Sequence, residues 1–495
     1  MQSLSLYCSS GLRAIESAHR HLPLMQRAGA AAAEWAMALC PERETPILVL
    51  AGPGNNGGDA FEAARLLLEQ AYPLQVLFAG TPERLPEDAA AAYQRFVAAG
   101  GRTVPDWSAP ERCGLILDGL FGIGLSRAPA EPYASWINAA NSLAETQGCP
   151  LLALDVPSGL DPDRGRAATP CIRASHTLSF VAAKPGLYTG EGPDHCGQLR
   201  IAMLGTHPEH SQPADGELVA RSQFRHALKP RRLNSHKGSN GNAGILGGAA
   251  SMIGAAFLAG RSALKLGAGR VYLGLLDPHA PPCDPQQAEL MLRHPETLLV
   301  SDLTALAIGP GLGRSDHASE LLERSLAQPI PLVLDADALN LLSYEFTLQS
   351  ALLARNTPHI LTPHPAEAAR LLELTTAEVQ ADRIAAVCQL AERFRAWVVL
   401  KGCGSLIASP QGRWWLNTSG NPGMGTAGMG DVLSGFLVAL LAQGWSAEAA
   451  CLAAVHLHGA AADQLVAEGR GPVGLTSGEV IDAGRLLFNR WLLAG

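Results

Sequence analysis

The sequence predicts an α/β protein with two domains, each built on a mostly parallel sheet. Three observations carry this prediction. The chain has 495 residues, more than one ordinary hydrophobic core holds. Short apolar runs alternate with helical patterns in both halves, which is typical of parallel sheets covered by helices. Between the halves, the stretch Thr206–Lys229 is rich in Pro, His and polar residues, and we interpret it as the linker between residues 1–215 and 216–495.

The composition indicates folded domains and argues against several kinds of partner. Hydrophobic residues make up 47% of the chain and charged residues 17%, which is typical of packed globular domains. The chain has 37 Lys and Arg residues against 45 Asp and Glu residues, so nothing favours nucleic acid or a membrane surface as a partner. Its ten cysteines form no CxxC pair, and the first residues lack a signal-peptide pattern. We therefore expect a cytoplasmic protein with reduced thiols.

The first half opens with a helix and then repeats strand–loop–helix units. Alanine-rich helical spacing runs from Arg13 to Trp35. The apolar strand Ile47–Leu50 is followed by a Gly-rich turn, Ala51–Asp59, and by the helix Phe61–Gln70. Strand, Gly-rich turn and helix form half of a Rossmann-like unit, so we predict a Rossmann-like, three-layer α/β/α domain. Further strands are Leu74–Phe78, Leu115–Leu117 and Leu151–Leu154, and further helices are Pro86–Ala99 and Tyr133–Thr146.

Polar residues follow three of these strands. Asn56, Asp118, Asp155 and Ser158 each lie just beyond a strand end, which is where ligands bind to parallel sheets. A lone Asp at such a place is usually a cap or a turn former, but three strand ends carrying Asn or Asp beside glycine favour a shared site. Oxygen ligands without Cys or His suit a hard cation such as K⁺, Mg²⁺ or Ca²⁺.

The motifs of the first half resemble the epimerase domain of the bifunctional NAD(P)H-hydrate repair enzymes. They are GNNGGD (54–59), DGLFGIGL (118–125) and DVPSGLD (155–161), and the resemblance covers about Leu12 to Thr206. It implies that Asp155 is the catalytic acid/base and that Asn56, Asp118 and Ser158 bind K⁺. It also implies a substrate-binding set: Asn55, Asn56, Gly57, Gly58, Asp59, Gly122, Ile123, Gly124, Leu125, Ser126, Arg127, Ala128 and Asp155. The family usually has Gly where this chain has Ala60, and we expect little effect because both residues are small.

The second half repeats the α/β alternation after a polar segment that contains SHKG (235–238). Its predicted strands are Ile245–Leu246, Val271–Leu275, Leu306–Ile308, Leu332–Leu334, His359–Leu361 and Val398–Leu400. The last four strands end in GPGLGR (309–314), DADALN (335–340), TPHPAE (362–367) and KGCGS (401–405). His364 is held between two prolines, although a lone His is more often structural than catalytic. Lys401 is placed where it could approach a nucleotide, whereas His456 and His458 belong to a helix that we interpret as core.

The stretch Gly420–Gly435, GNPGMGTAGMGDVLSG, carries the clearest chemical signal. Its glycines let backbone N–H groups crowd toward a ligand, and it runs directly into an apolar helix whose N-terminus favours an anion. Asp431 lies at the mouth of this hole, where it suits a general base that takes a proton from a hydroxyl attacking a phosphoryl group. The alternative is a Gly-rich turn with a capping Asp. No Lys follows the glycines, so the stretch is not a P-loop.

The second half resembles ribokinase-like kinases and, more narrowly, the ADP/ATP-dependent dehydratase domain of the same repair enzymes, over about Gln223 to Leu487. We therefore predict a ribokinase-like α/β domain. The resemblance implies nucleotide contacts by Lys401, Gly402, Cys403, Gly404, Ser405 and Gly430, and an anion hole of Thr426, Ala427, Gly428, Met429 and Gly430. The substrate contacts it implies are Ala255, Gly311 or Gly313, His364 and Asp431, with Asp431 as the catalytic residue.

Together the two resemblances imply repair of hydrated nicotinamide cofactors. Residues 1–215 would interconvert the R and S epimers of NAD(P)HX, and residues 216–495 would dehydrate the S epimer with ADP or ATP. The implied cofactors are K⁺ in the first site and Mg²⁺ in the second. We expect a homo-oligomer with small-molecule partners only. The alternatives are a ribokinase-like kinase fused to a ligand-binding α/β domain, and an enzyme whose first domain is a non-catalytic scaffold.

Overall fold

The structure, a computed structural model, describes residues 4–125 and 127–493, which form two compact units. The N-terminal unit comprises residues 5–216, and the C-terminal unit comprises residues 217–493 together with Leu4. Among the described residues, every helix is too short or too polar to cross a bilayer. The predicted α/β class is confirmed in both units.

The N-terminal unit is a parallel sheet with the strand order β4-β3-β2-β5-β6-β7-β8. Its strands are β2 (Ile47–Ala51), β3 (Leu74–Leu77), β4 (Thr103–Val104), β5 (Leu115–Gly119), β6 (Leu151–Leu154), β7 (His176–Phe180) and β8 (Gln198–Ala202), and the short strand β1 (Ser5–Leu6) is not part of this sheet. Its helices are α1 (Ser9–Ala18), α2 (Leu24–Leu39), α3 (Asn55–Glu69), α4 (Glu87–Ala98), α5 (Tyr133–Gln147), α6 (Gly192–Cys196) and α7 (Pro208–Ser211), with 3₁₀ turns at Pro82–Arg84 and Pro185–Leu187.

Alternate residues of the central strands pack on opposite faces of this sheet. Val49 and Leu117 belong to one apolar cluster, which includes residues of α2, α3 and α4. Leu48 and Ile116 belong to another, which includes residues of α5. Both faces are therefore covered by helices, which gives the predicted three layers and leaves the strand ends as the place for polar groups.

Two predictions for this unit were wrong in detail. The helix predicted over Arg13–Trp35 is interrupted between α1 and α2, because Pro23 has no N–H to continue the ladder. The Gly-rich turn predicted over Ala51–Asp59 ends early, since α3 already begins at Asn55. Gly57 packs so closely on Gly52 that a Cβ on it would lie 2.0 Å from the Gly52 oxygen. That close packing favours a helical glycine in spite of its low helix propensity.

The C-terminal unit has a mixed sheet of strand order β9-β18-β17-β16-β15-β14-β13-β10-β11-β12, antiparallel only at β16–β17 and β17–β18. Its strands are β9 (Gly216–Leu218), β10 (Asn242–Gly247), β11 (Arg270–Leu275), β12 (Met291–Arg293), β13 (Ala305–Ile308), β14 (Leu332–Leu334), β15 (His359–Leu361), β16 (Trp397–Leu400), β17 (Ser405–Ala408) and β18 (Trp414–Asn417).

The helices of the C-terminal unit surround one that is almost entirely buried. They are α8 (Arg221–Phe224), α9 (Ile253–Lys265), α10 (Pro295–Leu299), α11 (Asp316–Leu326), α12 (Asp337–Tyr344), α13 (Phe346–Leu353), α14 (Pro365–Leu372), α15 (Thr376–Ala381), α16 (Arg383–Phe394), α17 (Met429–Ala442), α18 (Ala447–Ala467) and α19 (Ser477–Leu493), with 3₁₀ turns at Arg225–Ala227, Lys237–Asn240 and Pro422–Met424. From Val432 to Ala442 every residue of α17 is buried, so this helix forms the centre of the core.

The stretch interpreted as a linker is more ordered than expected. Within Thr206–Lys229 the chain forms α7, β9 and α8, and β9 pairs with β18. Val219, Phe224 and Leu228 are buried in the core of the C-terminal unit. The second part of the predicted linker is therefore an integral piece of that unit, which its polar composition concealed.

Candidate active sites

Two predicted site residues of the N-terminal unit meet at the carboxyl ends of β5 and β6. Asp118 is fully buried in β5, and Ser158 lies in the turn after β6. The Ser158 hydroxyl donates to Asp118 Oδ1 at 2.6 Å, and the Ser158 N–H donates to Oδ2 at 2.9 Å. Burial raises the pKa of Asp118 to about 6, while its hydrogen bonds from Ser158 and Leu120 oppose the rise.

Asp155 is held by three groups and lies on an unusual backbone conformation. Its φ of +65° lies in the left-handed region, which few residues other than Gly, Asn and Asp adopt. Oδ1 lies 2.8 Å from Lys184 Nζ and accepts the Phe180 N–H at 3.4 Å, and Oδ2 accepts the Ile123 N–H at 3.2 Å. A carboxylate fixed in this way on strained backbone is typical of a functional site.

Asn56 borders the same space as Asp155 with its amide unpaired. It is 7% exposed, and within the described part of the chain neither Oδ1 nor Nδ2 has a hydrogen-bond partner. A Cβ on Gly122 would lie 2.7 Å from Asp155 Oδ2 and 3.5 Å from Asn56 Oδ1. A buried amide costs free energy until a ligand satisfies it. The Asn56 oxygen and the Asp118–Ser158 pair thus have the donor chemistry that a K⁺ site requires.

The remaining predicted residues of the first site belong to α3 and to the loop after β5. Asn55, Gly57, Gly58 and Asp59 form the first turns of α3. Burial, together with the charges of Asp155 and three other acids, raises the pKa of Asp59 well above its usual range. Residues Gly122, Ile123, Gly124, Leu125, Arg127 and Ala128 lie in the loop after β5, whereas Ser126 lies outside the described residues.

In the C-terminal unit, the half-buried Lys401 and the buried Asp335 form an ion pair at the ends of β16 and β14. Lys401 Nζ donates to Asp335 Oδ1 at 2.7 Å, and the Ser434 hydroxyl of α17 donates to Asp335 Oδ2 at 2.7 Å. Burial alone would lower the pKa of Lys401, but the charges of Asp335, Glu367 and Asp431 outweigh it and raise the pKa. Lys401 is therefore an ammonium surrounded by three carboxyl groups.

Asp431 lies in the first turn of α17, beside this ion pair. Gly428 precedes the helix with φ +87°, and a Cβ on Gly430 would lie 3.3 Å from Lys401 Nζ. Burial, and then the charge of Asp335, raises the pKa of Asp431 to about 7, while Lys401 opposes the rise. The first N–H groups of a helix have no partner within it. The predicted anion hole, Thr426–Gly430, therefore leads into a helix N-terminus that lies beside the Lys401 ammonium and carries the Asp431 carboxyl group.

His364 caps α14 and has a partner that was not predicted. Its Nδ1 accepts the N–H groups of Ala366 and Glu367 at 3.1 and 3.3 Å, and its Nε2 lies 3.2 Å from Glu367 Oε1. Burial and the nearby cations lower the pKa of His364, and burial raises that of Glu367 to about 7. His364 is thus a neutral imidazole directed at Glu367, and its contact with substrate stays a prediction.

The other predicted substrate residues lie near the start of α9. Gly311 and Gly313 have φ of +59° and +75°, and the Gly313 N–H donates to Asp337 Oδ2 at 2.9 Å. A Cβ on Gly311 would lie 2.5 Å from the oxygen of Met252, the residue before α9. Ala255 is half-buried in the first turn of that helix. The close approach to Met252 favours glycine at position 311.

The comparisons with known proteins cover both units. Residues 21–186 match the family described as YjeF-related protein N-terminus, and residues 243–483 match NAD(P)H-hydrate dehydratase. The bifunctional NAD(P)H-hydrate repair enzyme Nnr of Coxiella burnetii is 37% identical, and the match covers 96% of this chain and 96% of that protein. Nnr of Escherichia coli K12 is 38% identical over 90% of this chain and 85% of its own.

The chain belongs to the bifunctional NAD(P)H-hydrate repair enzymes. Among solved structures, the ADP/ATP-dependent NAD(P)H-hydrate dehydratase from Bacillus subtilis, co-crystallized with ATP/Mg²⁺, is 30% identical, with a TM-score of 0.49. That match covers 55% of this chain and 98% of the other.

This repair enzyme also has site residues that were not predicted from its sequence. Lys184 pairs with Asp155, Asp335 pairs with Lys401, and Glu367 contacts His364. The buried Arg383 donates to the Lys401 carbonyl at 3.3 Å, and so supports the turn that carries Gly402, Cys403, Gly404 and Ser405. Asp335 follows a strand end, as Asp155 does, and that signal was available. Glu367 lies three residues after His364 in the same motif. Lys184 and Arg383 have no local signal, because they come from other parts of the chain.

Proposed function

We propose that this repair enzyme restores hydrated NADH and NADPH in two steps. The N-terminal unit interconverts the R and S epimers of NAD(P)HX. The C-terminal unit phosphorylates the hydroxyl of the S epimer and eliminates phosphate to give NAD(P)H. The observation that carries the second step is Asp431, a carboxyl group whose pKa is about 7, placed at the N-terminus of α17 beside Lys401.

The dehydration is divided between a base and an anion hole. Asp431 takes the hydroxyl proton as the hydroxyl oxygen attacks the terminal phosphoryl group of the nucleotide. Phosphate then leaves, because it is a much better leaving group than hydroxide. With ADP as the phosphoryl donor, the other product is AMP. The N–H groups of Thr426–Gly430 receive the transferred group, because a helix N-terminus stabilises the negative charge that develops on it.

The nucleotide and the hydrate bind on either side of this hole. Lys401, Gly402, Cys403, Gly404, Ser405 and Gly430 contact the nucleotide. Ala255, His364 and either Gly311 or Gly313 contact the hydrate. Mg²⁺ would be held by the nucleotide phosphates, and it would supply positive charge against the phosphoryl oxygens.

In the epimerase site, Asp155 exchanges a proton with the epimerised centre of the reduced ring. Its Oδ2 borders the space over Gly122. We expect the loop after β5 and the start of α3 to enclose the substrate there. Asn56, Asp118 and Ser158 hold K⁺. Ser158 also accepts the Phe121 N–H at 2.9 Å, so an occupied ion site stiffens the loop that follows.

A mixture of R and S hydrates of NADH tests both activities in the full chain. With ADP or ATP present, we expect both epimers to be consumed, with NADH and phosphate as products. An ordinary kinase gives a stable phosphorylated product, and a scaffold domain leaves the R epimer behind. Asp431→Asn should lower dehydration by roughly 10²–10⁴-fold, the usual cost of a lost general base, and leave nucleotide binding largely intact. Normal turnover in that variant places the base elsewhere.

A further inference from the structure

Lys184 is a buried cation in the N-terminal unit that the reaction scheme leaves without a role. It is the one lysine in residues 5–216, whose other cationic side chains are Arg and His. It lies in the turn after β7 and is 1% exposed. Its Nζ donates to Ser179 Oγ at 2.8 Å, to the Phe180 oxygen at 3.0 Å and to the Ala182 oxygen at 3.4 Å, and it lies 2.8 Å from Asp155 Oδ1.

These contacts leave Lys184 no hydrogen for a substrate. An ammonium has three N–H donors, and four protein oxygens already surround it. Taking such a charge out of water costs several kcal/mol, so the site needs a partner of opposite charge. Asp155 is the carboxylate within ion-pair distance among the described residues. Any effect of Lys184 on the reaction must therefore pass through Asp155.

The ion pair determines which oxygen of Asp155 is free to react. Lys184 and the Phe180 N–H occupy Oδ1, whereas among the described residues Oδ2 accepts one N–H, that of Ile123 at 3.2 Å, and borders the space over Gly122. Because Lys184 and the Phe180 N–H hold Oδ1, Oδ2 is the oxygen that faces the crevice.

The surroundings of the pair contain more acid than base. Glu16 of α1 and Asp59 of α3 both interact with the charge of Asp155, and Arg13 and Lys184 are the cations that act on Glu16. Without Lys184, these carboxyl groups would repel one another with less positive charge to oppose them, which disfavours a fixed position of the Asp155 side chain.

We propose that Lys184 is the positioning residue of the epimerase: it holds Asp155 Oδ1 so that Oδ2 faces the substrate. The inference rests on the role proposed above for Asp155. A carboxylate displaced by about 1 Å typically loses on the order of 10²-fold in rate, because the reacting atoms no longer align.

A double-mutant cycle in the full-length chain tests this role. Lys184→Met and Asp155→Asn are made singly and together, and R-epimer conversion is measured with the dehydratase activity on the S epimer as an internal control. We expect Lys184→Met to lower the kcat of epimerisation about 10²-fold with little change in KM. In the Asp155→Asn background the same substitution should cost nothing further, because the residue it positions is already gone.

Two further variants separate positioning from general damage. Lys184→Gln keeps an N–H that can donate to Oδ1 and should recover part of the rate. If the Met variant does not fold, the Gln variant completes the cycle in its place. Arg65→Met removes a cation paired with the buried Glu62 of α3 and should leave epimerisation unchanged.

Three results would overturn the assignment. An unchanged kcat in the Lys184 variants contradicts it. So does a double variant whose loss in rate equals the product of the two single losses. Full activity in Asp155→Asn overturns the role of Asp155 itself, and the positioning role with it. An inactive Asp155→Asn beside a normal Lys184→Met removes only the positioning role and leaves the proposed function standing.

Discussion

Gly122 has no Cβ, and any other residue at this position would place one close to the Asp155 side chain. That carbon would lie 2.7 Å from Asp155 Oδ2, closer than a Cβ normally approaches any atom. We therefore expect Gly122→Ala to displace the carboxylate and lower epimerase kcat/KM by about 10²-fold. Gly124→Ala, two residues on, should leave Asp155 in place, because its Cβ would meet no atom of the described residues within 4 Å. Any loss in that variant then measures crowding of the substrate alone. Equal losses in the two variants would contradict the placement of Asp155 over Gly122.

The raised pKa of Asp431 predicts how dehydration depends on pH. A base must be deprotonated to accept a proton, and this carboxyl holds its own proton below pH about 7. Steady-state rates between pH 5 and 9 should therefore fall about tenfold per pH unit on the acid side of 7 and level off above it.

Glu367 has a pKa of about 7 as well, so the source of this pH dependence needs its own control. Glu367→Gln keeps an oxygen that can accept the His364 N–H and removes the titration of the Glu367 carboxyl. The acid limb should persist in that variant. Its disappearance there would assign the limb to Glu367 instead.

At the scale of single residues, the sequence predicted mainly the polar residues that lie at the ends of strands. Asp118, Asp155 and Ser158 were predicted because parallel strands deliver their carboxyl ends to one edge. Glu367 appeared only as the last letter of a motif, and its bond to His364 needs the helix cap to exist first. Arg383 lies in α16, 18 residues from the carbonyl it supports, and no spacing rule connects the two.

At the scale of elements, the clearest prediction concerns the ordered stretch before β10. Phe224 of α8 is fully buried, and Val219 and Leu228 pack into the same core. A C-terminal fragment that starts at residue 230 should therefore be much less stable than one that starts at residue 217. Urea unfolding of the two fragments measures the difference, and equal midpoints would show that this stretch does not contribute.

The single variant Phe224→Ala tests the same packing without truncation. Removing a buried Phe side chain typically costs about 3–5 kcal/mol of unfolding free energy. In the 217–495 fragment the urea midpoint should fall accordingly, with an unchanged m-value. Leu233→Ala is the control, because the Leu233 side chain is fully exposed.

Elements were predicted well where the hydrophobic pattern alone decides them. Leu151–Leu154, Leu332–Leu334 and His359–Leu361 are observed as predicted, and the other predicted strands differ by one to three residues at an end. The start of α3 was missed because glycine disfavours helix in isolation, whereas close packing of Gly57 on Gly52 favours it here. Tertiary packing of this kind cannot be predicted from the helix propensities of the residues in one segment.

At the scale of the whole molecule, the two activities should be separable. Each unit has its own sheet and its own buried core. Expressed apart, residues 1–215 should convert the R epimer and residues 216–495 should dehydrate the S epimer, each at a rate near that of the full chain. Loss of activity in a soluble, folded fragment would show that its site needs the other unit.

The left-handed backbone at Asp155 also decides which inactive variant is suitable for trapping a bound substrate. Asn and Gly adopt such a conformation with little strain, whereas Ala is forced into it at roughly 1–2 kcal/mol. Alanine would therefore remove the carboxylate and disturb the turn that carries Ser158 in the same step. Asn keeps the turn, so crystals of Asp155→Asn soaked with the R epimer are the better route to a picture of the loaded crevice.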